Sequence, residues 1–573
     1  MNLKNVRSLI TAAAILLLAA LFADAQTSTR PSFNRTSTFD VQHYTIRASF
    51  DRTKKEVAGD TTVELRPLAD GFREFELDAE DMAFKVVSLE PSGTELKYST
   101  SANSIRITLD RSYSPSETIA VRLKYTATPK KGVYFVDADT GATTVNHSAQ
   151  VWSQGEADEA HHWFPSFDFP SDKATTEEYL TAFTDETVIG NGEFLGKTDN
   201  NNGTSTWHFK MTVPHSTYLV SFVIGKYVRV DDKYGEVPLG FFVYPGKEAT
   251  ARNAFGKTKN MIAVYEKLTG VKFPYNKYDQ TIVAKFQFGG MENITATTMA
   301  DTEIFFGDFE FGKEIVTDLV SHELAHSWFG DLVTCKNWAE LWLNEGFATY
   351  MEAAYREQIN GRSDYLRKVH ADATEFLADD AITRRRHGLY NLRGSDIARL
   401  FDVSAVTYNK GGVVLHMLRE QIGTEAFWKG INAYLNKHKF DNVETQDLEA
   451  AMEEASGQDL RWFFDQWVYH SGAPHFTVSS AYSGRTRTLK LSISQTQKAD
   501  SLVPAAFRVP LDIEVKTDAG TEIFSKTVMK RSETYSIKLK SRPVKLSLSP
   551  DEKHPEDKAP AKTVKVTPIV YVR

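Results

Sequence analysis

The sequence predicts a multi-domain α+β protein: an N-terminal antiparallel β domain, a mainly helical central domain and a C-terminal β-sandwich. Three observations predict it. From Phe39 to about Ile224, apolar and polar residues alternate, with many β-branched residues and Gly, Asp and Asn breaks. From about Arg252, apolar residues recur at helical spacing between Gly or Pro breaks. After Gly472-Ala473-Pro474 the alternation returns. A period of two means a strand with one buried face, whereas recurrence every three to four residues means an amphipathic helix. A chain of 573 residues is long enough for about three to five domains of ordinary size.

Residues 1–25 read as a signal peptide. Lys4 and Arg7 precede an apolar run from Leu9 to Phe22, and Ala23-Asp24-Ala25 supplies small residues for cleavage before Gln26. The run is shorter than the roughly 20 residues needed to span a bilayer. An exported chain with no membrane span after cleavage is therefore expected, periplasmic or extracellular. Its single cysteine, Cys335, excludes an intrachain disulfide, and export without disulfides points to a bacterial envelope.

Residues 26–225 form the expected β domain, with alternation in His43–Phe50 and Thr61–Leu65. Residues 226–472 form the helical domain, with helices expected at 252–269, 311–330, 339–360, 362–379, 404–421, 424–438 and 445–456. Residues 473–550 form the sandwich, with Thr488–Ile493 as a representative strand. Residues 551–573 are a charged, Pro-containing tail. The formal charge of −8 argues against a nucleic-acid partner, which usually meets a basic excess. Nothing in the sequence specifies an oligomeric state.

The central domain carries the chemistry. His322-Glu323-Leu324-Ala325-His326 is a His-Glu-x-x-His element inside a helical run. At about 100° per residue, the two histidines lie about 40° apart and project toward one ion. Glu323 lies about 80° from their midline, too far round to ligate easily but near enough to reach a water beside the ion. That is the position a general base needs. A catalytic zinc site takes three protein ligands and keeps one open position. Glu345, in Leu341-Trp342-Leu343-Asn344-Glu345-Gly346, can be the third ligand or a solvated helix carboxylate; spacing alone leaves both open. A His/His/Glu set fits one Zn2+ per chain. Trp328, Trp338, Trp342 and Phe329 read as core, Lys410 as structural and Cys335 as a buried thiol, and His161-His162 receive no role.

His-Glu-x-x-His followed by Glu345 within Trp342-Leu343-Asn344-Glu345-Gly346 resembles the gluzincin aminopeptidases, the aminopeptidase N and leukotriene hydrolase type. Three further motifs occur in family order. They are Ser153-Gln154-Gly155-Glu156 with Phe164–Pro170 after it, Gly289-Gly290-Met291-Glu292-Asn293, and Tyr408-Asn409-Lys410-Gly411. The resemblance implies a thermolysin-like fold for the central domain, and His322, His326 and Glu345 as zinc ligands. It implies Glu323 as general base and Tyr408 as the oxyanion's second stabiliser. It assigns substrate binding to Gln154, Glu156, Gly289, Gly290, Met291, Glu292 and Asn293. Glu156 and Glu292 would hold the free α-ammonium of a peptide by charge-assisted hydrogen bonds, and Gln154 would line the first subsite. Members usually end in a large helical domain, which this sequence is expected to lack.

The expected activity is zinc-dependent hydrolysis of the N-terminal peptide bond of peptides with a free N-terminus. Two rivals stand beside it. A thermolysin-like endopeptidase shares the zinc helix but lacks the Met-Glu-Asn carboxylate. A catalytically inactive peptide-binding protein would have lost Glu323 or a ligand, and here all are present.

Overall fold

Strict alternation in the N-terminal part becomes strands buried on one face: Ile119–Ala127 buries every second residue, Ile119, Val121, Leu123, Tyr125 and Ala127. The computed structural model describes residues 32–141, 145–383 and 386–548, and the backbone of Val564–Val566. Residues 1–25, expected to be a signal peptide, and the rest of the tail lie outside the described residues. The elements that follow belong to one unit, Arg35–Arg573.

An eight-stranded sheet dominates the N-terminal part. Its strand order is Glu193–Asp199, Thr204–Ser216, Lys173–Phe183, Phe39–Asp51, Glu56–Pro67, Ile119–Ala127, Met82–Glu90, Thr94–Glu95. Its pairings are antiparallel except one: Phe39–Asp51 runs parallel to Lys173–Phe183. A three-stranded sheet (Phe72–Asp78, Ser104–Tyr113, Lys97–Thr100) shares its core, where Ile105, Ile107 and Leu77 meet Val63, Leu65 and Val121. A four-stranded sheet contains Gln150–Ser153, which delivers the chain to Gln154 and Glu156.

The helical part opens with a five-stranded mixed sheet that the sequence pattern did not reveal. Its order is Val228–Tyr234, Val237–Val243, Tyr278–Val283, Ala296–Ala300, Gly290–Met291. Gly290–Met291 is one of its two edge strands, paired on one side only. Helices follow at Lys313–Ala325, Trp342–Asn360, Arg362–Ile382, Gly411–Ile422, Thr424–His438 and Thr445–Ser456. The last is bounded by a Glu444/Asp447 capping box and by left-handed Gly457, both strong local signals. Two expected helices differ: 252–269 is broken into Glu248–Phe255 and Thr258–Thr269, and 404–421 begins with a π turn, Val406–Lys410, which carries Tyr408. Such turns locally widen a helix and re-aim its side chains.

The C-terminal part is two facing sheets. Ser532–Lys538, Thr488–Gln495 and Phe476–Ser483 form one, and Val564–Val566 from the tail pairs antiparallel with Phe476–Val478. Gly520–Val528, Val509–Thr517 and Pro543–Leu548 form the other. Leu491, Ile493, Leu511, Ile513 and Val515 are buried between them. No helix among the described residues is long and apolar enough to cross a membrane.

Candidate metal centre and substrate cleft

The Lys313–Ala325 helix ends where His326 begins, and the His326 N–H still reaches the His322 carbonyl at 3.3 Å. Both imidazoles therefore stay on one face. The Trp342–Asn360 helix is buried from Trp342 to Arg356 and brings Glu345 from its first turn. His322 Nε2 lies 3.2 Å and His326 Nε2 3.3 Å from Glu345 Oε2.

Each ring's other nitrogen is engaged behind it. His322 Nδ1 meets Glu352 Oε1 at 2.8 Å, and His326 Nδ1 meets the Phe329 carbonyl at 2.9 Å. These acceptors fix the tautomer that turns an Nε2 lone pair inward, the arrangement metal-ligating histidines use. The pocket also favours positive charge at that point. Burial opposes protonation of His322, yet Glu345 and Glu352 outweigh it and lift the imidazole to about 9. Burial likewise opposes ionisation of Glu345, but His326 and His322 hold its carboxyl down at about 2. A buried His/His/Glu set that attracts cations suits zinc.

Glu352 was missed by sequence reading, although it stands two helical turns after Glu345 on the same face. It also receives Lys368 Nζ at 2.9 Å, and Lys368 reaches Asp372 at 2.7 Å. Tyr218, also missed, has its hydroxyl 3.4 Å from Glu292 Oε1, and Asn344 Nδ2 donates to that hydroxyl at 3.3 Å. Asn344 thus links the Glu345 helix to Glu292.

The centre opens into a cleft of about 610 Å³ whose lining includes Glu156, Gly289, Gly290, Glu292, Glu323 and Tyr408. Glu323 Oε1 lies 2.3 Å from where a Cβ on Gly290 would stand, so the carboxylate rests against bare backbone. Burial pushes the Glu323 carboxyl up to about 8, against the pull of both histidines. Oxygens of Glu156, Glu292 and Glu345 lie within 4.8 Å of one another. Burial raises Glu156 well above the carboxylate range, and the Glu292 charge adds to it. The Tyr408 ring stacks on His322 at 5.9 Å, and burial followed by the Glu345 charge keeps its hydroxyl protonated.

Of three other predicted residues, Gln154 lines a side pocket of the cleft, and Met291 and Asn293 stand behind it. Gln154 Nε2 donates to Met291 Sδ at 3.1 Å, Met291 is buried, and Asn293 is fully buried with Nδ2 on Thr298 Oγ1. Trp328, Trp338, Trp342 and Phe329 are core, Lys410 donates to the His470 carbonyl, and Cys335 is a buried free thiol. Glu80, His161 and His162 also place three donor atoms within 4.8 Å. The two rings, however, stack 24° from parallel, so their lone pairs run side by side instead of converging on one ion.

Comparison with known proteins agrees with this geometry. The Peptidase M1 N-terminal domain matches residues 40–219, and the Peptidase family M1 domain matches residues 253–467. The chain is 34% identical over 341 residues to an aminopeptidase N of Streptomyces lividans, covering 57% of this chain and 39% of the relative. It is 31% identical over 396 residues to a glutamyl aminopeptidase of Bos taurus, covering 67% and 40%. It is 28% identical over 491 residues to a leucyl aminopeptidase of Saccharolobus solfataricus, covering 82% and 60%. The chain spans about two fifths of the length of most curated relatives it matches. With both family domains in consecutive order and the motif residues assembled around one centre, the chain belongs to peptidase family M1, the gluzincin aminopeptidases that its motifs resemble.

Proposed function

We propose that the chain is an exported zinc-dependent aminopeptidase that hydrolyses the first peptide bond of peptides with a free N-terminus. The observation that carries this reading is surplus buried carboxylate beside the His322, His326 and Glu345 donors. Among the described residues, neither Glu156 nor Glu292 pairs with a lysine or arginine; Glu292 has the Tyr218 hydroxyl at 3.4 Å and His326 Nδ1 at 3.9 Å. Buried carboxylates crowded in this way are costly unless a cation joins them. A substrate ammonium is such a cation, and charge-assisted hydrogen bonds to it are worth about 1.5–3 kcal/mol each.

Zinc held by His322, His326 and Glu345 would supply Lewis acidity, polarising a carbonyl and bringing the pKa of water near ~7. This chain's residues do the rest. Glu156 and Glu292 fix the ammonium, which leaves the first peptide bond over the centre. The unpaired edge of Gly290–Met291 offers backbone groups to an extended peptide. Glu323 takes the proton from the attacking water and returns it to the leaving amine. The Tyr408 hydroxyl donates to the oxyanion of the tetrahedral species. Export is supported by the signal-like residues 1–25.

The test is a panel of aminoacyl-p-nitroanilides, free and N-acetylated, given to the purified chain from Gln26 with and without chelator. Chelator-sensitive cleavage of the free forms alone is expected. Equal cleavage of acetylated forms would favour an endopeptidase-like site, and no cleavage by zinc-loaded protein would favour a binding role.

A further inference from the structure

Beside Glu156 the cleft has a side pocket of about 160 Å³. Glu156, Phe288 and Phe401 line both spaces, so a side chain leaving the substrate's first Cα next to Glu156 enters it directly. Its walls form an aromatic train. Tyr134 stacks on Trp152 at 4.3 Å, Trp152 meets Phe286 at 5.4 Å, Phe286 meets Phe288 at 6.0 Å, and Phe288 meets Phe401 at 5.9 Å. An apolar cavity of about 150 Å³ holds a benzene ring, so the space suits a leucine- to tyrosine-sized group.

Apart from Glu156, which the substrate's ammonium occupies, the lining holds two charges, Lys131 and Glu159, and they are spent on each other. Lys131 Nζ lies 3.4 Å from Glu159 Oε1. Glu159 Oε2 accepts from the Gly132 N–H and the Tyr134 hydroxyl, each at 3.2 Å. A basic side chain entering here competes with Lys131 for an engaged carboxylate, and an acidic one meets Glu159 behind the lysine. Either gives up hydration without a free partner, which disfavours its burial.

Resting on the aminopeptidase reading, we infer that this pocket selects peptides whose first residue is large, uncharged and apolar or aromatic, with the Lys131–Glu159 pair acting as the filter against charge. Lys131 and Glu159 are then specificity-determining residues that touch neither the metal ligands nor the scissile bond.

The experiment measures kcat/KM of the zinc-loaded chain for free aminoacyl-p-nitroanilides of Ala, Leu, Phe, Tyr, Lys, Arg, Glu and Asp. Leu, Phe and Tyr substrates are expected to exceed the charged ones by at least about tenfold, the scale that pocket contacts provide. Lys131→Met leaves Glu159 unpaired and should raise Lys and Arg relative to Leu by about tenfold. Glu159→Gln frees the lysine and should raise Glu and Asp instead. Phe288→Ala, at a 42% exposed position where folding is not at stake, should flatten the advantage of Phe over Ala. Wild-type preference for a charged residue, or substrate ratios unmoved in both charge variants, would overturn the inference and leave the aminopeptidase reading standing. No turnover of any free substrate would remove both.

Discussion

Gly346 and Gly411 face each other backbone to backbone: a Cβ on Gly346 would lie 2.9 Å from the Gly411 Cα, and one on Gly411 would lie 2.7 Å from the Gly346 Cα. The first glycine follows Glu345, the proposed third ligand, and the second follows the π turn bearing Tyr408. Their contact sets the spacing between the metal centre and the tyrosine. Gly411→Ala should force the helices apart at a cost of about 1–3 kcal/mol, the usual range for overpacking. Turnover should fall with zinc content unchanged, because the ligands sit on the other side of the contact. Metal analysis beside kcat checks this, and wild-type turnover with a wild-type melting temperature would contradict it.

Glu352 predicts a different signature. It holds the His322 ring through Nδ1 and shares Lys368 with Asp372. Glu352→Ala should weaken zinc binding by roughly 10–100-fold, the effect typical of removing a ligand's supporting carboxylate. Turnover at saturating zinc should recover much of its value. Competition with a chelator of known affinity measures the first effect, and an unchanged Kd would exclude the supporting role.

Glu323 and Tyr408 should separate cleanly from the ligands. Glu323→Ala is expected to abolish turnover while zinc stays bound, since its carboxylate rests on Gly290 outside the triad. Tyr408→Phe keeps the stack on His322 but deletes the donor, and should lower kcat roughly 10²–10³-fold, as removing one oxyanion donor does elsewhere. Zinc lost from the first variant, or near-normal kcat in the second, would break these assignments.

Legibility in the sequence followed the range of the interactions. Thr424–His438 and Thr445–Ser456 have the bounds expected from spacing, because their periodicity and stop signals are local. The His322 and His326 pair was legible for the same reason, being one helical turn. The parallel pairing of Phe39–Asp51 with Lys173–Phe183 was not, since it joins segments distant in the chain. Gly290–Met291 is two residues long, too short to show a period, and is a strand only because Ala296–Ala300 pairs with it. Tyr218 was hidden among buried aromatics because its role depends on where Glu292 and Asn344 fold. Glu352 left a fainter trace, seven residues beyond Glu345, that a helical-face count would have caught.

Glu178 is fully buried in the Lys173–Phe183 strand, where Oε2 accepts from the Asn191 N–H at 2.9 Å and Oε1 has no partner. Burial pushes its carboxyl from an ordinary 4.5 to about 8, opposed by the Asn191 bond. Between those values the native chain keeps a proton that the unfolded chain has released, so stability falls as pH rises through the window. Glu178→Gln keeps an acceptor for Asn191 and cannot ionise. Its melting temperature should match wild type near pH 4, exceed it increasingly up to about pH 8 and level off above. A difference that stays constant with pH would mean that Glu178 does not titrate in this range.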